Sequence, residues 1–261
     1  MSVTFEMDGP LAIVTFRTPP MNLLTDESLD GFAEAAQLAV KEKARALLTL
    51  AEGPHFCAGA DVKTMFHGKD SNDGRRMLAH AFPIIQSFER LPIPTVMAVR
   101  GLCLGGGCEL LQVHDIVFAS NKAGIGQVEV LVATSTLLGG AGRLVSRVGV
   151  PRAKEMVFSG KIYDAQTMLE WGLINRVCED DQVEAKARAY AMQLANGPTV
   201  AYKLAKAAIN TAASDGVHAA DALLMEAAPA TYDTHDMREA ARLFVEKGAQ
   251  NAREGLVFTG S

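Results

Sequence analysis

Two glutamates in apolar surroundings are the residues of this chain best suited to chemistry. Glu109 follows three consecutive glycines, Gly105, Gly106 and Gly107, and sits in the largely apolar stretch 108–113. Glu129 lies twenty residues further on, within Ile125-Gly126-Gln127-Val128-Glu129-Val130. Burial raises a carboxyl pKa, and two carboxyls in different environments can divide the work of acid and base. The glycine run follows an apolar strand-like segment, 94–99, and opens a helix, where unpaired N–H groups favour developing negative charge. A second corner, Phe56-Cys57-Ala58-Gly59-Ala60-Asp61, also follows an apolar run and precedes a helical turn. Peptide N–H donors from the two corners, converging on one oxygen, would make an oxyanion hole. Each feature alone has a plainer reading. Glu109 is then a satisfied acid beside a tight turn, and Glu129 a helix N-terminal acid favoured by the dipole.

Alternating strands and helices must position these corners. Segments 2–7 and 11–17 flank Asp8-Gly9-Pro10 as a hairpin, and Thr25 with Asp26 caps a helix over 27–41. A buried strand over 46–50, a helical turn over 61–66 and a helix over 75–89 follow. The polar stretch 69–74 reads as a mobile loop. A strand over 95–99, the glycine corner with a helix over 106–113, and a strand over 116–120 complete an α/β core with a largely parallel sheet. Short helices over 144–149, 151–158 and 165–171 and a strand over 173–178 come next. Helices over 182–195, 199–213, 217–227 and 235–247 make the tail all-helical. The division is an α/β core over 1–195 and a helical region over 196–261. The Ala-rich tail helices expose apolar faces that point to oligomerisation.

Composition narrows the class. The chain has 261 residues, is 49% hydrophobic and carries a formal charge of −5, which gives no support for binding nucleic acid or an anionic membrane. Cys57, Cys103, Cys108 and Cys178 lack paired metal-ligand spacing and read as reduced core thiols of a cytoplasmic protein. No signal peptide or membrane-spanning run is read. The six histidines show no metal-ligand pattern, so no metal is expected. Ser135 lacks a nucleophile-elbow context, Trp171 reads as core packing, and Gly105–Gly107 do not fit a dinucleotide fingerprint.

Together the three corners resemble the crotonase superfamily, the enoyl-CoA hydratases and isomerases. The likeness runs essentially end to end. It includes Pro19-Pro20-Met21-Asn22, the stretches 56–61, 104–110 and 126–129, and Phe244-Val245-Glu246-Lys247 in the tail. The resemblance implies a spiral of ββα units with a helical C-terminal trimerisation region, assembled as a homotrimer or a dimer of trimers. It implies an acyl-CoA thioester as substrate, with coenzyme A part of the substrate and no separate cofactor. It places the thioester oxygen between the N–H groups of Ala60 and Gly106. It makes Glu109 the base on a water and Glu129 the donor of a proton to Cα. Ala60, Asp61, Val62, Lys63 and Gly106 then contact substrate, with Lys63 either near nucleotide phosphates or simply solvated. An isomerase working through the same enolate, and a non-catalytic acyl-CoA-binding relative, are the alternatives. The departure lies at 133–143. Thr136 and Leu137 stand where hydratases of the family carry proline and glycine, which predicts an altered acyl preference or a different fate for the enolate.

Overall fold

The computed structural model describes residues 1–251 and 255–261. Strands β1 (Val3–Asp8) and β2 (Leu11–Phe16) form the expected hairpin. Helix α1 (Asp26–Lys41) starts at a capping box in which Thr25 and Ser28 bond each other's backbone N–H groups. Strand β3 (Ala46–Ala51), the short helix α2 (Val62–Met65) and helix α3 (Ser71–Glu89) follow. The 69–74 stretch is therefore mostly helix rather than loop. Asp70 accepts hydrogen bonds from the N–H groups of Asn72 and Asp73, so this polar run is a cap that starts α3.

Next come β4 (Thr95–Val99), β5 (Leu102–Leu104), α4 (Gly106–Gln112), β6 (Ile116–Ser120) and β7 (Gly124–Gly126). A 3-10 turn spans Glu129–Val132. Helices α5 (Gly140–Val148) and α6 (Val150–Ser159), strand β8 (Tyr163–Asp164), helix α7 (Ala165–Trp171) and strand β9 (Arg176–Cys178) follow. The chain continues through α8 (Val183–Ala195), α9 (Thr199–Asp215), α10 (Val217–Ala227), a 3-10 turn over Ala228–Asp233 and α11 (His235–Asn251).

The main sheet runs β1-β2-β3-β4-β6-β9, parallel except for the β1–β2 hairpin. Alternation along β2 sends Ala12, Val14 and Phe16 to one core and Leu11 and Ile13 to the other. The larger core holds an edge-to-face chain of rings, Phe16 to Phe32 at 5.4 Å and Phe32 to Phe88 at 5.8 Å. Each such pair contributes roughly 0.5–1.5 kcal/mol beyond its area. On the opposite face, α8 presents Val183, Ala187, Ala191 and Ala195, all fully buried at a spacing of four, so small side chains bring the helix close to the sheet. A second sheet, β5-β7-β8, stands apart from the first and leads into the glycine corner at Gly105.

Candidate active site

The small sheet places both glutamates. Strands β5 and β7 run parallel, Leu104 opposite Gly126, and the Gly105 N–H donates to the Gly126 carbonyl at 2.9 Å. Two chains leaving the same edge therefore deliver Glu109 four residues after Gly105 and Glu129 three residues after Gly126. Gly105 turns the chain into α4 with φ of 52°, a conformation that favours glycine. The Phe56–Asp61 corner joins this edge through paired bonds: Cys57 N–H to the Leu102 carbonyl and Leu104 N–H to the Cys57 carbonyl. On its other side, Ala58 N–H bonds the Met21 carbonyl, and Leu24 N–H bonds the Gly59 carbonyl. Asn22, fully buried, donates to the carbonyls of Glu52 and His55 at 2.8 Å and so anchors the loop leading into the corner.

Ala60, Val62, Gly106, Glu109 and Glu129 all line one cavity of about 240 Å³. Gly106 is the first residue of α4, so its N–H lies outside the helical ladder. Among the described residues neither it nor the Ala60 N–H donates to a backbone carbonyl outside the helices and strands. Asp61 and Lys63 do not line the cavity. The Asp61 carboxylate caps α2 by accepting from the Lys63 N–H at 3.0 Å, and Lys63 is exposed.

Glu109 is 3% exposed. Its Oε1 accepts two peptide N–H bonds, from Leu138 and Gly140, both at 2.8 Å. Burial, reinforced by the negative charge of Glu129, pushes its pKa up to about 8, while those two bonds pull the other way. Burial also raises the pKa of the half-buried Glu129. Glu129 does open the 3-10 turn, as its plainer reading has it, but burial outweighs the backbone hydrogen bond there and leaves the carboxyl raised. Gln127, fully buried, donates to both Glu129 oxygens at 2.8 and 3.0 Å and accepts from the Gln112 amide at 2.6 Å, with its amide oriented to satisfy both. Glycine is required at 140 for space: a Cβ there would stand 2.8 Å from Glu109 Cγ and 2.9 Å from the end of the Gln127 side-chain amide.

Asn22, Gln127 and the Leu138 and Gly140 N–H groups are site components that the sequence reading did not single out for these roles. Only the spacing of Gln127, two residues before Glu129 on β7's exit, signalled its place. Arg147 is another. Its guanidinium donates to the carbonyls of Gln112 and His114 at 2.6 and 2.7 Å, closing the C-terminal end of α4. His114 is a core residue: burial lowers its pKa to about 3, and its nitrogens face Thr49 Oγ1 and the Leu110 carbonyl. Among the described residues, no group of three His, Cys, Asp or Glu side chains could hold a metal ion. The four cysteines are free and buried, and burial raises the thiols of Cys57, Cys103 and Cys108.

The family model described as Enoyl-CoA hydratase/isomerase matches residues 6–254. A short-chain-enoyl-CoA hydratase of Clostridium acetobutylicum is 32% identical, over 94% of this chain and 95% of its own length. A mitochondrial methylglutaconyl-CoA hydratase of Mus musculus is 34% identical, over 93% of this chain and 79% of its own. The solved structure of an enoyl-CoA hydratase from Bacillus anthracis superposes with a TM-score of 0.91 at 26% identity, covering 100% of both chains. Matched along nearly its whole length in sequence and in fold, the chain belongs to the enoyl-CoA hydratase/isomerase family.

Proposed function

We propose that the protein is an enoyl-CoA hydratase, adding water across the 2,3 double bond of an acyl-CoA thioester. The observation that carries this reading is two carboxyls with raised pKa values lining the same cavity as Ala60 and Gly106, one from each corner. Water oxygen bonds to Cβ, the π electrons move toward the thioester oxygen, and the enolate formed there is held by the N–H groups of Ala60 and Gly106. Glu109 takes a proton from the water and Glu129 gives one to Cα, so the elements of one water are added and the pair ends with the same number of protons. Coenzyme A is part of the substrate, and the reaction needs no separate cofactor.

The cavity wall suggests what the acyl group is. Leu24, Leu29, Met65, Phe66, Met77 and Leu137 line it, and no Lys, Arg or His does among the described residues. A second carboxylate on the acyl chain would be buried near two glutamates without a cation, at a cost of several kcal/mol. The reading is therefore an uncharged aliphatic enoyl-CoA, with Leu137 filling space that a glycine would leave open. Phe158, Met225, Val245 and Val257, each more than 70% exposed, support a homotrimer or dimer of trimers in which the 196–261 helices take part. Free, buried cysteines suit a reducing, cytoplasmic location. Among the described residues no helix is long and apolar enough to cross a membrane.

The test is loss of crotonyl-CoA absorbance together with product mass. Wild-type protein should yield a product heavier by one water, and Glu129→Gln should lower kcat by roughly a hundredfold or more. A product of unchanged mass would instead identify an isomerase.

A further inference from the structure

The Leu138–Gly140 turn that holds Glu109 is itself held from outside the cavity. Arg143, on the first turn of α5, donates to both carboxylate oxygens of Glu89 at the end of α3: Nε to Oε1 at 3.0 Å and Nη2 to Oε2 at 2.7 Å. Its third nitrogen, Nη1, donates to the Leu138 carbonyl at 3.1 Å. The Leu138 peptide is thus gripped at both ends, its carbonyl by Arg143 and its N–H by Glu109 Oε1. The ion pair is mostly sheltered, with the Arg143 side chain 17% exposed and that of Glu89 35%. Glu89 is fixed in turn by α9, through the Asn210 amide on its carbonyl at 3.1 Å. A planar guanidinium locked bidentately on a carboxylate has little freedom left, so its remaining donor is a fixed point.

We propose that Arg143, clamped by Glu89, is a positioning residue for Glu109: it fixes the Leu138–Gly140 turn so that two peptide N–H groups engage Oε1, leaving Oε2 to meet the reacting water. Among the described residues both donors to this carboxylate reach Oε1 and none reaches Oε2. The inference rests on the hydratase reading for its consequence in turnover, but not for its effect on Glu109. The charged groups that act on Glu109 are Glu129 from the 3-10 turn and Arg143 from α5. Loss of Arg143 removes a cation and loosens two donors, and both changes favour the protonated acid.

Arg143→Gln should lower kcat for crotonyl-CoA by about tenfold or more with KM changed less than about threefold, and Arg143→Lys should recover part of the loss. The acidic limb of the kcat/KM profile should move up by roughly half a pH unit or more. Adding Glu89→Gln to Arg143→Gln should cost nothing further, because the two act as one unit. A second measurement is independent of turnover: carbon-13 titration of labelled glutamates in the ligand-free protein should show the Glu109 midpoint rising in Arg143→Gln. If that variant does not fold, Arg143→Lys, which keeps the charge but loses the fork that holds the turn, is titrated in its place, with a smaller rise expected. An unmoved Glu109 titration overturns the proposal, as does a kcat loss with an unmoved acidic limb. Absence of hydratase turnover in the wild type, with the titration shifted as expected, would sink the hydratase reading and leave the clamp standing.

Discussion

Glu109 and Glu129 share one problem, two acids in a largely apolar cavity, and the structure resolves it unequally. Glu109 has a folded pKa of about 8 against an ordinary value of 4.5. The folded state therefore holds this proton more tightly than the unfolded chain does. Its contribution to stability is complete below about pH 4.5 and is lost as pH rises toward 8. Glu109→Gln has no proton to lose, and its amide oxygen can still accept from Leu138 and Gly140. The variant should be close to wild type in stability at pH 5 and more stable by about 2–4 kcal/mol at pH 8, read by urea denaturation at both values. An equal difference at the two pH values would contradict the buried-acid assignment. Gln127 sets the other carboxyl. Gln127→Leu removes the donors to both Glu129 oxygens and should lower kcat by roughly tenfold or more, with a smaller change in KM. A change confined to KM would place Gln127 in substrate binding instead.

Among the elements, the small β5-β7-β8 sheet has the largest functional consequence, since it fixes the relation between the two glutamates. Gly126 has no room for a side chain: a Cβ would lie 2.5 Å from the Lys161 carbonyl oxygen and 3.3 Å from Ile162 Cα. Gly126→Val should force β7 away from β8, costing about 1–3 kcal/mol of stability and most of the turnover, as thermal unfolding and rate assays would show. Unchanged activity would mean that the sheet does not set the site. This sheet was also the least legible part of the sequence. Its strands are two or three residues long, and β7 is Gly-Ile-Gly, so no alternation announces it. The long elements were legible because their signals are local. Thr25 capped α1 as expected, and β4, β6, α7 and α10 occur at the expected bounds. The start of α3 was misread because an Asp-Ser-Asn-Asp run serves equally as a loop or a cap until its hydrogen bonds are seen. Both glutamates and both corners could be picked out from residue types. Arg143, Asn22 and the peptide donors to Glu109 could not, because their roles depend on contacts across 29 to 54 residues of chain.

For the whole molecule, exposed apolar side chains fall mainly in two stretches, residues 130–162 and the later helices. Met225 on α10 and Val245 on α11 are 81% and 84% exposed, and Phe244 is 56% exposed. If these faces are covered by other copies of the chain, Met225→Asp with Val245→Asp should reduce the sedimenting mass to that of a monomer while the circular dichroism stays unchanged. A wild type that sediments as a monomer at micromolar concentration would contradict the assembly. Hydration here requires water to add at Cβ while the enolate is held between the two corners. The most direct measurement is the mass spectrum of the product formed from crotonyl-CoA in heavy-oxygen water and, separately, in deuterium oxide. One heavy oxygen on Cβ and one deuterium on Cα are expected, both lost in Glu129→Gln. Bound crotonyl-CoA that takes up neither label would contradict it.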